Sequence, residues 1–172
     1  MELGKNNRRC AYNYKMENEI IIKTTQEKDL GVIFTENLSL EHHINKTVSE
    51  TLNPLRNIRT SFTYSDKEMM RKIITSMIRP RLEYAAVIWS PHQKKHIRKL
   101  ERVQRAAMKM TPELQDSPYE ERLTRMELTT LEKKRERGDM ITLFILLNGM
   151  ENIDRGDLYE LNVRETRGHG KK

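Results

Sequence analysis

IRPRLEYAAVIWSPHQKKHIRKLERVQRAAMKM, residues 78–110, joins the most apolar decapeptide of the chain to its most basic segment, with a proline at each change of direction. Within it, residues 82–89 (LEYAAVIW) hold one charge, Glu83, too little polarity for a run wetted on every side. That run predicts a core element or an interface. Ser90 and Pro91 break it, and residues 93–110 then follow a helical period, with Ile97, Leu100, Val103 or Gln104, Ala107 and Met110 as the stripe facing a core. On the flank of the same helix Lys94, Lys95, Arg98, Lys99, Arg102, Arg105 and Lys109 set seven cations against one anion, Glu101. Two readings fit this ridge. A charged face of an amphipathic helix can simply be solvated, its long stems shielding the backbone. A row of Lys and Arg at one-turn intervals can also track successive phosphates and release their counterions.

Composition bounds the choice without making it. The 172 residues are 36% hydrophobic and 33% charged, enough for one domain with a core but polar for that length. Lys plus Arg number 32 against 25 for Asp plus Glu, a net charge of +7 that favours anionic partners, nucleic acid or an acidic membrane surface. No stretch is apolar for long enough to span a bilayer, and MELGKNNRR lacks the apolar core of a signal peptide. The expectation is a soluble intracellular protein, cytoplasmic or nuclear, without membrane contact. Cys10 is the single cysteine, which leaves no internal disulfide and no thiolate metal site.

Upstream of the central stretch the period changes from two to nearly four between Phe34 and Leu40. Tyr12, Tyr14 and Met16, a polar turn at residues 17–19 and the triple isoleucine at residues 20–22 predict a hairpin, with a third strand at residues 31–34. Three isoleucines in a row suit a strand buried on both faces, which asks for more sheet than this chain supplies. Helices are expected next. Ser39 is the candidate cap for one carrying Leu40, Ile44, Val48, Leu52 or Leu55, and Ile58, with Pro54 kinking or breaking it near residues 52–53. Ser65 or Asp66 would cap another, where Met69/Met70, Ile73/Ile74 and Met77/Ile78 make a stripe two residues wide and Pro80 a kink or an end.

Downstream, residues 111–116 form a loop. Ser117, Pro118 and Glu120 have the order of cap, first helical position and capping box, ahead of an apolar edge of Leu123, Met126 and Leu128. Thr129 or Thr130 would cap a last helix through Ile141, Phe144, Ile145 and Leu147 to a stop at Asn148-Gly149. Gly138 in its middle suggests close approach of another backbone. The fold class expected is therefore mainly α (α+β): a short N-terminal antiparallel hairpin or sheet remnant over residues 1–36, a helical bundle over 37–150 and a mobile tail over 151–172.

Signatures of catalysis are missing from this sequence. It holds no adjacent aspartate pair, glycine-rich phosphate loop, HExxH or Gly-x-Ser-x-Gly. Catalytic residues, metal ligands and cofactors are accordingly assigned to none. His42 and His43 are helix neighbours about 100° apart and cannot share an ion. His92 and His96 have a better spacing, but His92 falls at a frayed helix start, and His169 has no second ligand near it in sequence.

Seven blocks in order, EKDLGVIF (27–34), HHINK (42–46), SFTYSDKE (61–68), IRPRLEYAAVIWSP (78–91), LERVQRAAMKM (100–110), PYEERLTRMELTTLEKKRERGDMI (118–141) and TRGH (166–169), give the chain a resemblance to a known family. It closely resembles the region after the catalytic palm in reverse transcriptases of LINE-type, non-LTR retrotransposons of the jockey-like group. The resemblance implies that the strands are the end of a palm and the helices a thumb and connection, which grips a template-primer duplex of RNA and DNA by its backbone. It thereby favours the phosphate reading of the ridge. The family's catalytic aspartates and its endonuclease would lie upstream, so this chain is expected not to be an enzyme, although the parent RNA-directed DNA polymerase would need magnesium. Pro54 departs from the family's thumb helix and suggests a decaying or domesticated copy. The alternatives are a helical interaction module that docks through LEYAAVIW, for instance on a reverse transcriptase palm supplied in trans, and a translated relic without function.

Overall fold

The computed structural model describes residues 13–62 and 64–151, together with Met1 and Leu3. Cys10, Tyr12, His169 and all but Glu151 of the tail expected over 151–172 lie outside the described residues. Two small antiparallel hairpins precede the helices. In the first, β1 (Lys15–Met16) pairs with β2 (Glu19–Ile20), so the turn is tighter than expected and Glu19 already belongs to a strand. Ile20, Ile21 and Ile22 are 57%, 52% and 84% exposed. The strand buried on both faces is therefore not formed, because a two-residue ladder offers no second layer to cover it.

The second hairpin corrects the strand count. Residues 27–29, which precede the third strand expected at 31–34, lie within a further strand, β3 (Gln26–Asp29), which pairs with β4 (Val32–Thr35) in the register Gln26↔Thr35 to Asp29↔Val32. Its two-residue turn has φ of 45° at Leu30 and 88° at Gly31, the positive pair that suits tight hairpins. A Cβ at Gly31 would also meet the Tyr84 ring at 3.0 Å. The Tyr84 hydroxyl donates to the Leu30 carbonyl at 3.0 Å, tying this turn to the helices.

β4 enters the main core. Val32 and Ile33 are 1% and 5% exposed, and the outward N–H of Ile33 donates to Nδ1 of His43 at 3.3 Å. An otherwise unpaired strand edge is thus capped by a helix. Accepting at Nδ1 requires a neutral ring, and burial first, then Lys46, hold the His43 pKa below its usual 6.5, against a smaller opposing pull from Glu50. A histidine kept neutral when folded contributes stability that is full above the unfolded pKa and is lost as pH falls. Urea unfolding is expected to show a lower midpoint at pH 5 than at pH 7, with a smaller difference in His43→Leu. An equal pH difference in both proteins would remove His43 as its cause.

α1 (Glu41–Ser61) buries Ile44, Val48, Thr51, Leu55 and Ile58 at alternating steps of three and four, with Leu52 half-buried, as its period predicts. Ser39 is one residue early as a cap, since Leu40 holds that position without a side-chain bond. Pro54 does not break the helix. The carbonyl it leaves without its helical donor, that of Glu50, accepts from Arg81 Nη1 at 3.4 Å. A donor from the next helical segment therefore answers part of the cost of proline.

Asp66 caps α2 (Lys67–Ile73), its carboxylate accepting from the Met69 N–H at 2.7 Å. The helical run continues through a π turn (Ile74–Ile78) into α3 (Arg79–Glu83), so it passes Pro80 and ends later. The Arg79 N–H reaches Ile74 O, five residues back, and this wider turn makes room before the proline ring. Met70, Ile74, Ile78 and Leu82 are fully buried and Met69 and Ile73 half-buried, while Met77 is 40% exposed, so the two-wide stripe narrows to one residue at its third pair.

LEYAAVIW divides between core and surface. Ala85, with φ 52°, turns the chain into α4 (Ala86–Trp89). Leu82 and Trp89 are fully buried, and Trp89 Nε1 donates to the Tyr84 carbonyl at 2.6 Å, whereas Tyr84, Val87 and Ile88 are exposed. α5 (Lys94–Met108) follows, then a 3-10 turn (Pro112–Leu114) in the expected loop, and α6 (Tyr119–Arg125), whose cap position is Pro118 and not Ser117. Thr130 caps α7 (Leu131–Asn148) by accepting from Lys133 N at 3.2 Å, and Gly149 at φ 63° ends it, both as expected. One core runs from Val32 through Ile44, Leu82, Trp89 and Leu100 to Leu131.

Two features of α7 differ from expectation. Ile141 and Phe144 are 49% and 58% exposed, because no element among the described residues covers the apolar second half of the helix. Gly138 makes no close approach, and a Cβ placed there would meet nothing within 4 Å. Gly138→Ala should therefore stabilise the protein by about 0.5–1 kcal/mol, from helix propensity alone. A lower unfolding midpoint in that variant would mean that glycine is needed there after all.

Candidate nucleic-acid interface

α5 lies between α1 and α7 and is covered from both directions. Its buried side is consequently broader than a single stripe: His96, Leu100, Val103, Gln104, Ala107 and Met108 are buried, while Ile97 and Met110, expected in the stripe, are half-buried. Lys94, Lys95, Arg98, Lys99, Arg102, Arg105 and Lys109 are all exposed. At about 100° per residue these seven fall within an arc of about 140°, and at about 1.5 Å per residue they extend over about 22 Å. The predicted ridge exists as one continuous strip.

What makes it uniformly cationic is the burial of its only anion. Glu101 is 7% exposed and turned inward, where Oε2 accepts from the Leu131 N–H at 3.1 Å, at the positive end of α7. Its other oxygen accepts from the Tyr119 hydroxyl and from Gln104 Nε2, the latter at 3.4 Å. Gln104 Oε1 in turn accepts from Arg79 Nε at 2.9 Å, and Arg79 Nη2 and Gln104 Nε2 both donate to the Thr129 carbonyl. Sequence periodicity assigned Gln104 a place near the core but gave no sign of this network. Burial lowers the Arg79 pKa against the raising pull of Glu83, Tyr119 and Glu101, and burial together with the hydrogen bond to Glu101 pushes the Tyr119 phenol well up.

The ridge is set among few neighbours. Lys95 Nζ is 3.4 Å from Glu41 Oε2, with both side chains at least half exposed, so the pair is worth no more than about 1 kcal/mol and can yield to a phosphate. Lys99 donates to Asn45 Oδ1, and the Arg105 guanidinium lies 4.3 Å from the centre of the Tyr119 ring, which steadies its stem. A shallow depression of about 270 Å³ is lined by Glu41, Lys95, His96, Arg98, Lys99 and Arg102. Burial first, then Lys95, keep the His96 pKa below 6.5, so His96 adds no charge there at neutral pH.

The other described histidines do not share a partner. His42 Nδ1 is 2.6 Å from Gln26 Oε1, His43 is buried beneath β4, and His92 is exposed. Among the described residues no three His, Cys, Asp or Glu side chains converge on one point. No helix among them is long and apolar enough to cross a membrane. No protein-family model, curated protein sequence or solved structure matches this chain.

Proposed function

We propose that this chain is a thumb-like, non-catalytic element that holds an RNA/DNA template-primer duplex by its phosphates along α5, without reading sequence. It would correspond to the part of a non-LTR retrotransposon reverse transcriptase that follows the palm, and it would depend on a palm encoded elsewhere for any polymerisation. One observation carries the proposal: seven exposed cations share one strip about 22 Å long while the only anion of the helix is buried. That length spans about six phosphates per strand of a duplex, so a straight ridge can neutralise several without bending. Duplex binding, followed by anisotropy on a random-sequence RNA–DNA hybrid, is expected to weaken with salt at a log–log slope between about −3 and −6. A slope near zero, or a strong preference for one sequence, would reject the proposal.

A second reading, a helical module that docks on a protein such as a reverse transcriptase palm in trans, is supported by a different surface. Val87 and Ile88 on α4 and Met140, Ile141, Leu143 and Phe144 on α7 are exposed on two elements that pack together. Replacing Ile88 by Asp would abolish such docking and leave the salt dependence of duplex binding as it was.

A further inference from the structure

At the C-terminal end of the ridge, Lys109 also lines a cleft of about 500 Å³ whose walls include Arg59, Phe62, Ser65, Gln115 and Asp116. Apart from Lys109, its lining belongs to neither the phosphate strip nor the apolar surface of α4 and α7. Phe62, the residue that ends α1, is 47% exposed although it is a large aromatic. Ring, cations and polar edges thus meet at one place, and one of the cations is shared with the ridge. We propose that this cleft takes an unpaired nucleotide that continues from a duplex held on α5, an inference that rests on the phosphate-binding reading of the ridge.

The chemistry fits a single nucleotide better than a further base pair. A volume of about 500 Å³ suits one small ligand and leaves no room for two backbones. Arg59 and Lys109 are both exposed and would hold the phosphate, while the Phe62 ring offers a face on which any base can stack. Asp116 repels a phosphate, so the anion stays by the two cations and the base edge is directed to the acceptors of Asp116, Gln115 and Ser65. Stacking on one aromatic tolerates every base, which agrees with a ridge that reads no sequence.

Two hybrids separate this inference from the reading beneath it: a blunt RNA–DNA duplex, and the same duplex with a short unpaired tail. The native chain is expected to bind the tailed hybrid about tenfold more tightly, the size of effect one stacked base supplies. A tail of abasic residues carries the same phosphates and should show little of that gain. Phe62→Ala should lose the gain while its affinity for the blunt duplex stays unchanged, since the side chain is half exposed and is none of the strip's cations. Phe62→Trp should retain the gain, and its emission should be quenched by the tailed hybrid and not by the blunt one, because the native Trp89 is fully buried. Equal affinity for tailed, abasic and blunt hybrids, or a gain that survives Phe62→Ala, would overturn the nucleotide cleft alone. Salt-independent binding of the blunt duplex would instead overturn the ridge.

Discussion

Glu101→Ala is expected to destabilise the protein by about 3–5 kcal/mol, a large share of what a domain of this size possesses. The truncation strands the Tyr119 O–H and the Leu131 N–H at the start of α7, each of which costs about 1–3 kcal/mol when buried without a partner, while Gln104 Nε2 keeps the Tyr119 oxygen and the Thr129 carbonyl. It also removes a negative charge near Arg79 and Arg135, two guanidinium groups that are 6% and 7% exposed. Glu101→Gln should cost less, because it keeps one acceptor and the shape of the side chain. Urea unfolding measures both, and a loss under about 1 kcal/mol for Glu101→Ala would mean that the network does not hold α6 and α7 to α5. The Gln variant tests function as well. It raises the net charge by one, yet the new charge balance lies in the interior, so the salt slope of duplex binding should not change.

The triple variant Arg98→Gln/Arg102→Gln/Arg105→Gln addresses the strip itself. Each arginine is exposed and lies on the solvent side of α5, so the fold should survive, apart from the small loss of the Arg105 contact with Tyr119. Removing three phosphate contacts should flatten the salt slope by up to about three, since each neutralised phosphate contributes about 0.9 on B-DNA. Affinity should fall on every sequence alike, as phosphate contacts position a protein without specifying bases. A folded triple variant with the native slope would take the ridge out of the account and leave docking through Val87, Ile88 and the end of α7 as the better reading. The variant should then bind its protein partner normally, whereas Trp89→Ala, which empties a fully buried site beside His43, should lose the fold together with any docking.

How much of this could be read without coordinates depended on the range of the interaction. Asp66, Thr130 and Gly149 act where their residue types predict, because a cap or a left-handed stop is settled within four residues of chain. The change from strand to helix period after Phe34 and the facing of Ile44, Val48, Leu55 and Ile58 followed from local spacing in the same way, and so did the exposure of all seven ridge cations. At Gly138, and for a helix break at Pro54, the fold overrides the local meaning, whereas the run does change its winding before Pro80. Arg81 answers the carbonyl opposite Pro54, open space surrounds Gly138, and a π turn precedes Pro80. The same holds for the site. Sequence by itself determined that one helix of this protein bears a strip of cations, because helical spacing alone places them. Only the tertiary structure decided that Glu101 leaves that strip, and that Phe62 and Arg59 of α1 meet Lys109 at its end, because both depend on partners supplied by segments distant in the chain.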